Sequence, residues 1–177
     1  MNLIETNEGY LGKDIIIEDA KLIYRNFRGE GGRFNHEGDK NFNLKFDEED
    51  VAIANRLNEL GWKVKIKTRE MDDGSQIVNY IMKVNVSYRF KDDKRRPKTY
   101  LYCDGIETEL FEDTVNVLDD ITIEHCDLRV AAFPYTDRDT GETFNSAYLK
   151  DIRVYASRDY LSTRAADYMS RFESPEE

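Results

Sequence analysis

From Trp62 to Lys67 the chain reads Trp-Lys-Val-Lys-Ile-Lys, a strict alternation of apolar residues with lysine. A helix would scatter these six side chains around its circumference. A strand sends successive side chains to opposite faces and separates the two kinds cleanly. The alternation therefore predicts a strand that sinks Trp62, Val64 and Ile66 into a core and projects Lys63, Lys65 and Lys67 from the other face. A chain of formal net charge -10 needs no pure lysine face for solubility. A rigid row of cations suits a polyanion, so this strand reads as part of a nucleic-acid groove.

The remaining segments lean the same way. Ile15 through Tyr24 is β-branched and reads as a strand, leading into the Gly29–Gly32 region as a mobile loop. Phe42, Leu44 and Phe46 alternate with Asn43 and Lys45 as a second strand. Asp47 stands as an N-cap before a helical stripe of Val51, Ala54 and Leu57, with Gly61 placed to end it. Met71 to Ser75 is turn chemistry, which makes the lysine strand and the long strand through Tyr80, Met82, Val84 and Val86 a hairpin. A basic loop over 91–98 precedes a strand at Thr99–Tyr102. A short helix is expected at 112–118, and two final strands around 121–132 and 147–156. Leu161, Ala165, Tyr168 and Phe172 carry helical spacing.

This pattern predicts a mainly β fold with minor α: a small antiparallel barrel or curled sheet with an inserted helix and a C-terminal helical segment. Eleven Tyr and nine Phe favour strands. The domain reading is an N-terminal extension over 1–14, a binding domain over 15–157, and a C-terminal helix with a short acidic tail over 158–177. No apolar run reaches the roughly 18 residues of a membrane helix, and the N-terminus lacks signal-peptide character, so no membrane partner is expected. Cys103 and Cys126 form no spaced motif and are expected as cytoplasmic thiols.

The charge is unevenly spread. Residues 21–102 carry eighteen bases and thirteen acids, while residues 103–177 carry seven bases and eighteen acids. Binders of unpaired strands combine a cationic groove with rings on which bases stack. Tyr24, Phe27 and Phe34 interleave with Arg25, Arg28 and Arg33 at the glycine-rich loop. Lys45, Lys63, Lys65, Lys67, Lys83 and Arg89 sit opposite apolar rows, and Arg95, Arg96 and Lys98 come just before Tyr100. These sixteen residues form the candidate interface. The competing reading makes the rings core residues and the bases a solvated face.

Other chemistry finds little support. Gly29-Glu30-Gly31-Gly32 puts an acid where a phosphate would sit. His36, Cys103, His125 and Cys126 lack metal-ligand spacing, so neither a metal nor another cofactor is expected. No Ser-His-Asp or Cys-His arrangement stands out, and the carboxylates read as turn and cap residues, so no enzyme is expected. The alternative function is a protein-binding module in which the acidic residues 103–177 imitate DNA to inhibit an enzyme or immune system.

Ile23-Tyr24-Arg25-Asn26-Phe27, Gly29, Phe34-Asn35, Gly38, Asn41-Phe42, Gly61 to Lys65 and Tyr80 to Ser87 resemble, in order and spacing, phage-encoded single-stranded DNA-binding proteins of the OB-fold type. Asp113, Leu118-Asp119, Asp127-Leu128, Pro134-Tyr135 and Ala147 to Lys150 extend the likeness to residues 20–156. The resemblance implies an OB-like barrel that coats single-stranded DNA with little sequence preference during phage replication or recombination, in the cytoplasm of an infected bacterium. The C-terminal segment carries two readings of its own, a helix packed on the body of the protein or an acidic tail that recruits replication or recombination proteins; a homodimer stays open. The chain departs from the pattern at Ile121 to Cys126, where similar proteins tend to carry an aromatic residue. It also departs in ending on a short prolyl acidic stub.

Overall fold

β-Branched and aromatic segments build nine strands that belong to a single sheet in the computed structural model, which describes residues 1–156. They are β1 (Asn2–Glu5), β2 (Ile15–Asn26), β3 (Lys40–Phe46), β4 (Val64–Glu70), β5 (Gln76–Val86), β6 (Lys98–Cys103), β7 (Ile106–Leu110), β8 (His125–Thr136) and β9 (Thr143–Ala156). One α-helix, α1 (Val51–Glu59), connects β3 to β4. The expected C-terminal helix and acidic tail over 158–177 lie outside the described residues. Segment 1–14, read as an extension, contributes β1, which pairs with β2.

Five strands run in the order β5-β3-β2-β8-β9, and β9 returns to β5 through Val84↔Ala147 and Asn85↔Tyr148. This closure makes the five-stranded, partly open barrel of the OB type. It corrects the purely antiparallel expectation in one respect. The β5–β9 and β6–β9 pairings are parallel, which the long connections between those strands allow. The closing seam is only two register pairs long. Before it the two strands diverge, and the chain at Trp62 bridges to Asn145 instead.

Inward residues alternate along the barrel strands: Phe42, Leu44 and Phe46 on β3, Met82, Val84 and Val86 on β5, Leu128 and Val130 on β8. Ala54 and Leu57 of α1 join this core, as does Trp62. The lysine strand reverses sides as expected for Trp62, which is buried, and Val64 is half-buried. Ile66 is a correction, because it is 60% exposed. The pairing places it at the margin: Ile66 stands opposite Tyr80, the last β5 residue that β3 flanks, on β4, which ends the strand order among the described residues. The helix expected at 112–118 is a 3-10 turn at Val115–Asp119. Among the described residues no helix is long and apolar enough to cross a membrane.

Candidate nucleic-acid interface

On the outer face of the barrel, the divergence of β5 from β9 opens a groove of about 650 Å³. The pleat supplies its floor. Asn41 and Asn43 of β3 stand beside Asn85 and Lys83 of β5, all opposite the apolar row. The β4 register sets Lys65 beside Ile81 and Lys67 beside Asn79 on that face. Lys63, just before β4, reaches the same groove, where its ammonium sits 4.1 Å from the centre of the Phe144 ring. Tyr24 and Phe34 form the opposite wall, 62% and 84% exposed, and the Lys67 ammonium lies 5.1 Å from the Tyr24 ring centre.

Four ammonium groups thus converge on one trough: Lys63, Lys65, Lys67 and Lys83. Among the described residues none of the four has a carboxylate within ion-pair distance. The environment acts on Lys65. Partial burial, followed by the charges of Lys63, Lys83 and Lys67, holds its amine below the ordinary lysine pKa. Such a group costs stability while protonated, and that cost lifts as pH rises through its folded-state pKa. An anion brought into the trough relieves the same repulsion, so the site is poised for negative charge. Asp137, whose carboxyl is lowered mainly by backbone N–H groups of Asp139 and Thr140, also feels the charge of Lys63.

Two glycine positions fix the geometry. At Gly61, φ is +91° and an added Cβ would stand 3.4 Å from Asn145 Nδ2, so the turn from α1 into the lysine strand requires glycine. The Gly61 carbonyl accepts from the Asn145 N–H at 2.7 Å, which ties the strand to β9. Between β2 and β3, Gly29 (φ +74°) accepts from the Gly38 N–H at 2.8 Å and closes the neck of the loop. Asn26 side-chain bonds to Glu30 and the Asp39 carbonyl pin the same neck. The expected mobile loop is therefore a cinched Ω-like excursion with Phe34 displayed on it.

Of the sixteen expected interface residues, the groove gathers Tyr24, Phe34, Lys63, Lys65, Lys67 and Lys83. Arg33 adjoins it, with its guanidinium 5.4 Å from the Phe34 ring. Phe27 is a correction. It is fully buried and stacks on Phe42 at 5.3 Å, so it offers no face to a base. Arg25 donates to the Leu118 and Ile121 carbonyls at 2.8 and 2.7 Å, and burial lowers its pKa. Arg28 pairs with Asp120 at 2.6 Å, while Asp119 accepts the Phe27 and Arg28 N–H groups. Both arginines therefore anchor the loop to the 115–121 segment. Lys45 shares the outer face but turns its ammonium to Asp47, which also pairs with Lys21. That carboxylate serves cations rather than capping a helix.

Arg89 pairs with Asp39 at 3.0 Å. Arg95 packs over Phe90 and Tyr10, and Arg96 pairs with Asp93. Lys98 lies in a separate depression, and Tyr100 is half-buried on the outer face of β6 beside Arg153. None of these five lines the groove. Conversely, the groove contains residues the sequence reading passed over: Phe144 and the asparagines 35, 41, 43, 85 and 145. Asn41-Phe42-Asn43-Leu44 carried the signal, since its polar members alternate with core residues as the lysines do. Phe144 had none, because its place depends on a seam formed with β5, far away in sequence.

No curated protein matches the chain by sequence. Among solved structures, the single-stranded DNA-binding protein of bacteriophage Enc34 superposes with a TM-score of 0.50 at 12% identity, over 97% of this chain and 99% of that one. The same phage protein in complex with single-stranded DNA gives 0.47 at 14% identity, over 84% and 89%. The gp2.5 single-stranded DNA-binding protein of bacteriophage T7 gives 0.43 at 12% identity, over 85% and 88%. The first of these likenesses establishes a shared fold. The sequence family described as "Putative phage ssDNA-binding domain" matches residues 6–173. With nearly the whole chain covered, and with a cationic, ring-walled trough on an OB-type barrel, the protein belongs to the phage single-stranded DNA-binding domain family.

Proposed function

We propose that this protein binds single-stranded DNA with little sequence preference and coats it during phage replication or recombination in the host cytoplasm, without catalysing a reaction. One observation carries the reading: four lysines that have no ion-pair carboxylate among the described residues share a single open trough with the rings of Tyr24, Phe34 and Phe144. In OB folds the face of the second and third barrel strands, with the loops joining strands 1–2 and 4–5, takes up oligonucleotides. Here those parts are β3 and β5, the loop bearing Phe34, and the β8–β9 hairpin bearing Phe144. The ammonium groups hold phosphates without reading bases, and a ring accepts any base on its π-face. The asparagines line the floor with amide donors and acceptors that adapt to different base edges.

The trough is walled on both sides by projecting rings, which suits a splayed single strand better than a stiff duplex. Fluorescence anisotropy with labelled single- and double-stranded oligonucleotides of one sequence, at two salt concentrations, tests this. Tighter single-strand binding that weakens with salt, by a log–log slope of about -0.7 per phosphate contacted, is the expected result. Absence of single-strand binding at low salt contradicts the proposal. The C-terminal segment remains the proposed contact for replication or recombination proteins, and a homodimer is the proposed assembly to test by sedimentation.

A further inference from the structure

Strand β9 does not end at the groove. From Ser146, which lines it, four further residues at about 3.3 Å each lead to Lys150, roughly 13 Å away. There the register slips: Arg129 faces Asp151 but Val130 faces Leu149, so Lys150 is the extra residue of a β-bulge. The bulge places Lys150 at a depression of about 190 Å³ with Lys94, Arg96, Lys98 and Arg129, against one carboxylate, Asp151. Arg129 and Lys150 also hold the buried Asp14, at 3.0 and 3.4 Å. Lys94 and Lys98 have no carboxylate within ion-pair distance among the described residues. Between this cluster and the groove stand Tyr148 and Phe133, rings 5.6 Å apart, with Phe133 55% exposed. The small Ser146 opposite Phe133 leaves that ring uncovered.

We infer that the polynucleotide path continues from the groove along β9, over the Phe133–Tyr148 rings, to a second phosphate-holding station at Lys94, Lys98 and Lys150. The inference rests on the single-strand binding reading, and the continuity of one strand face carries it. An apolar partner would not match a cluster in which cations outnumber acids. A duplex is too stiff to follow a curved barrel over both stations. The station lies beyond the usual OB oligonucleotide face, on the far part of the last barrel strand and the added strand β6. It also gives a place to Lys98, which the groove does not include.

The double variant Lys94→Gln/Lys98→Gln tests the station, since among the described residues neither ammonium has an ion-pair partner whose loss would disturb the fold. Salt titrations use the intact protein with oligo-dT of about 5 and about 16 nucleotides, the range of single OB-type sites. On the long oligomer the variant binds about 25-fold more weakly near 0.1 M salt, with a salt slope shallower by about 1.4, two contacts at 0.7 each. On the short oligomer it matches the unmodified protein. Equal behaviour on the long oligomer, or the same loss at both lengths, overturns the second station. If the unmodified protein binds neither length, the groove reading itself fails, a different result. The variant Phe133→Ala gives an independent arm: a loss of about fivefold or more is expected only on the long oligomer.

Discussion

Replacing Lys63, Lys65 and Lys67 together by glutamate lowers affinity for a single-stranded oligonucleotide by about two orders of magnitude or more near 0.1 M salt. The estimate follows from counterion release: each phosphate contact contributes a slope of about 0.7, worth roughly fivefold at that salt, and three contacts multiply. Charge reversal adds repulsion to the loss. The fold is expected to survive. Lys65 and Lys67 are exposed, and none of the three holds a carboxylate among the described residues. At Lys65 partial burial, and after it the neighbouring cations, already disfavour the charged form. Anisotropy at fixed salt, with circular dichroism as the fold control, measures both. Unchanged affinity in a folded variant removes the lysine face from the binding account.

Phe27→Ala is expected to destabilise the protein by about 3–5 kcal/mol, the usual range for emptying a buried aromatic site. The ring is fully enclosed, stacked on Phe42, and its own N–H is held by the Asp119 carboxylate at 2.9 Å. Phe34→Ala does the opposite. That ring is 84% exposed, so stability changes by no more than about 0.5 kcal/mol. Single-strand affinity falls by about 1–3 kcal/mol as a stacking platform is lost. Chemical denaturation and oligonucleotide titration of the two variants separate the roles. If Phe27→Ala unfolds at the same denaturant concentration as the parent, the core assignment is wrong.

These two phenylalanines mark the limit of what the sequence discloses. Both lie in one glycine-rich, arginine-rich stretch, and composition treats them alike. Their difference comes from Asp119 and the 115–121 segment, about ninety residues later, which grip the loop neck and turn Phe27 inward. Local alternation fared better. It set the faces of β3, β4 and β5 correctly, because a pleat has period two whatever the strand pairs with. It erred at Ile66, where facing inward is not the same as having something to pack against. Turn and cap residues located the β4–β5 hairpin and the end of α1, since Gly61 and Gly74 adopt positive φ there.

Basic residues were harder to assign. A lysine on an outer face is visible from parity, but its partner is not. Lys45 and Lys63 look equivalent in sequence; Asp47 reaches the first, while the second lies over Phe144. Parallel closure of β9 on β5 was also hidden, and with it the wall that Phe144 provides. No short-range pattern encodes a seam between residues about sixty positions apart.

The most direct measurement is lysine acetylation footprinting by mass spectrometry, with and without saturating oligo-dT. The account predicts strong protection of Lys63, Lys65, Lys67 and Lys83, with Lys21 and Lys45 reacting alike in both states. Protection spread evenly over all lysines, or confined to residues outside the trough while those four stay reactive, would contradict it.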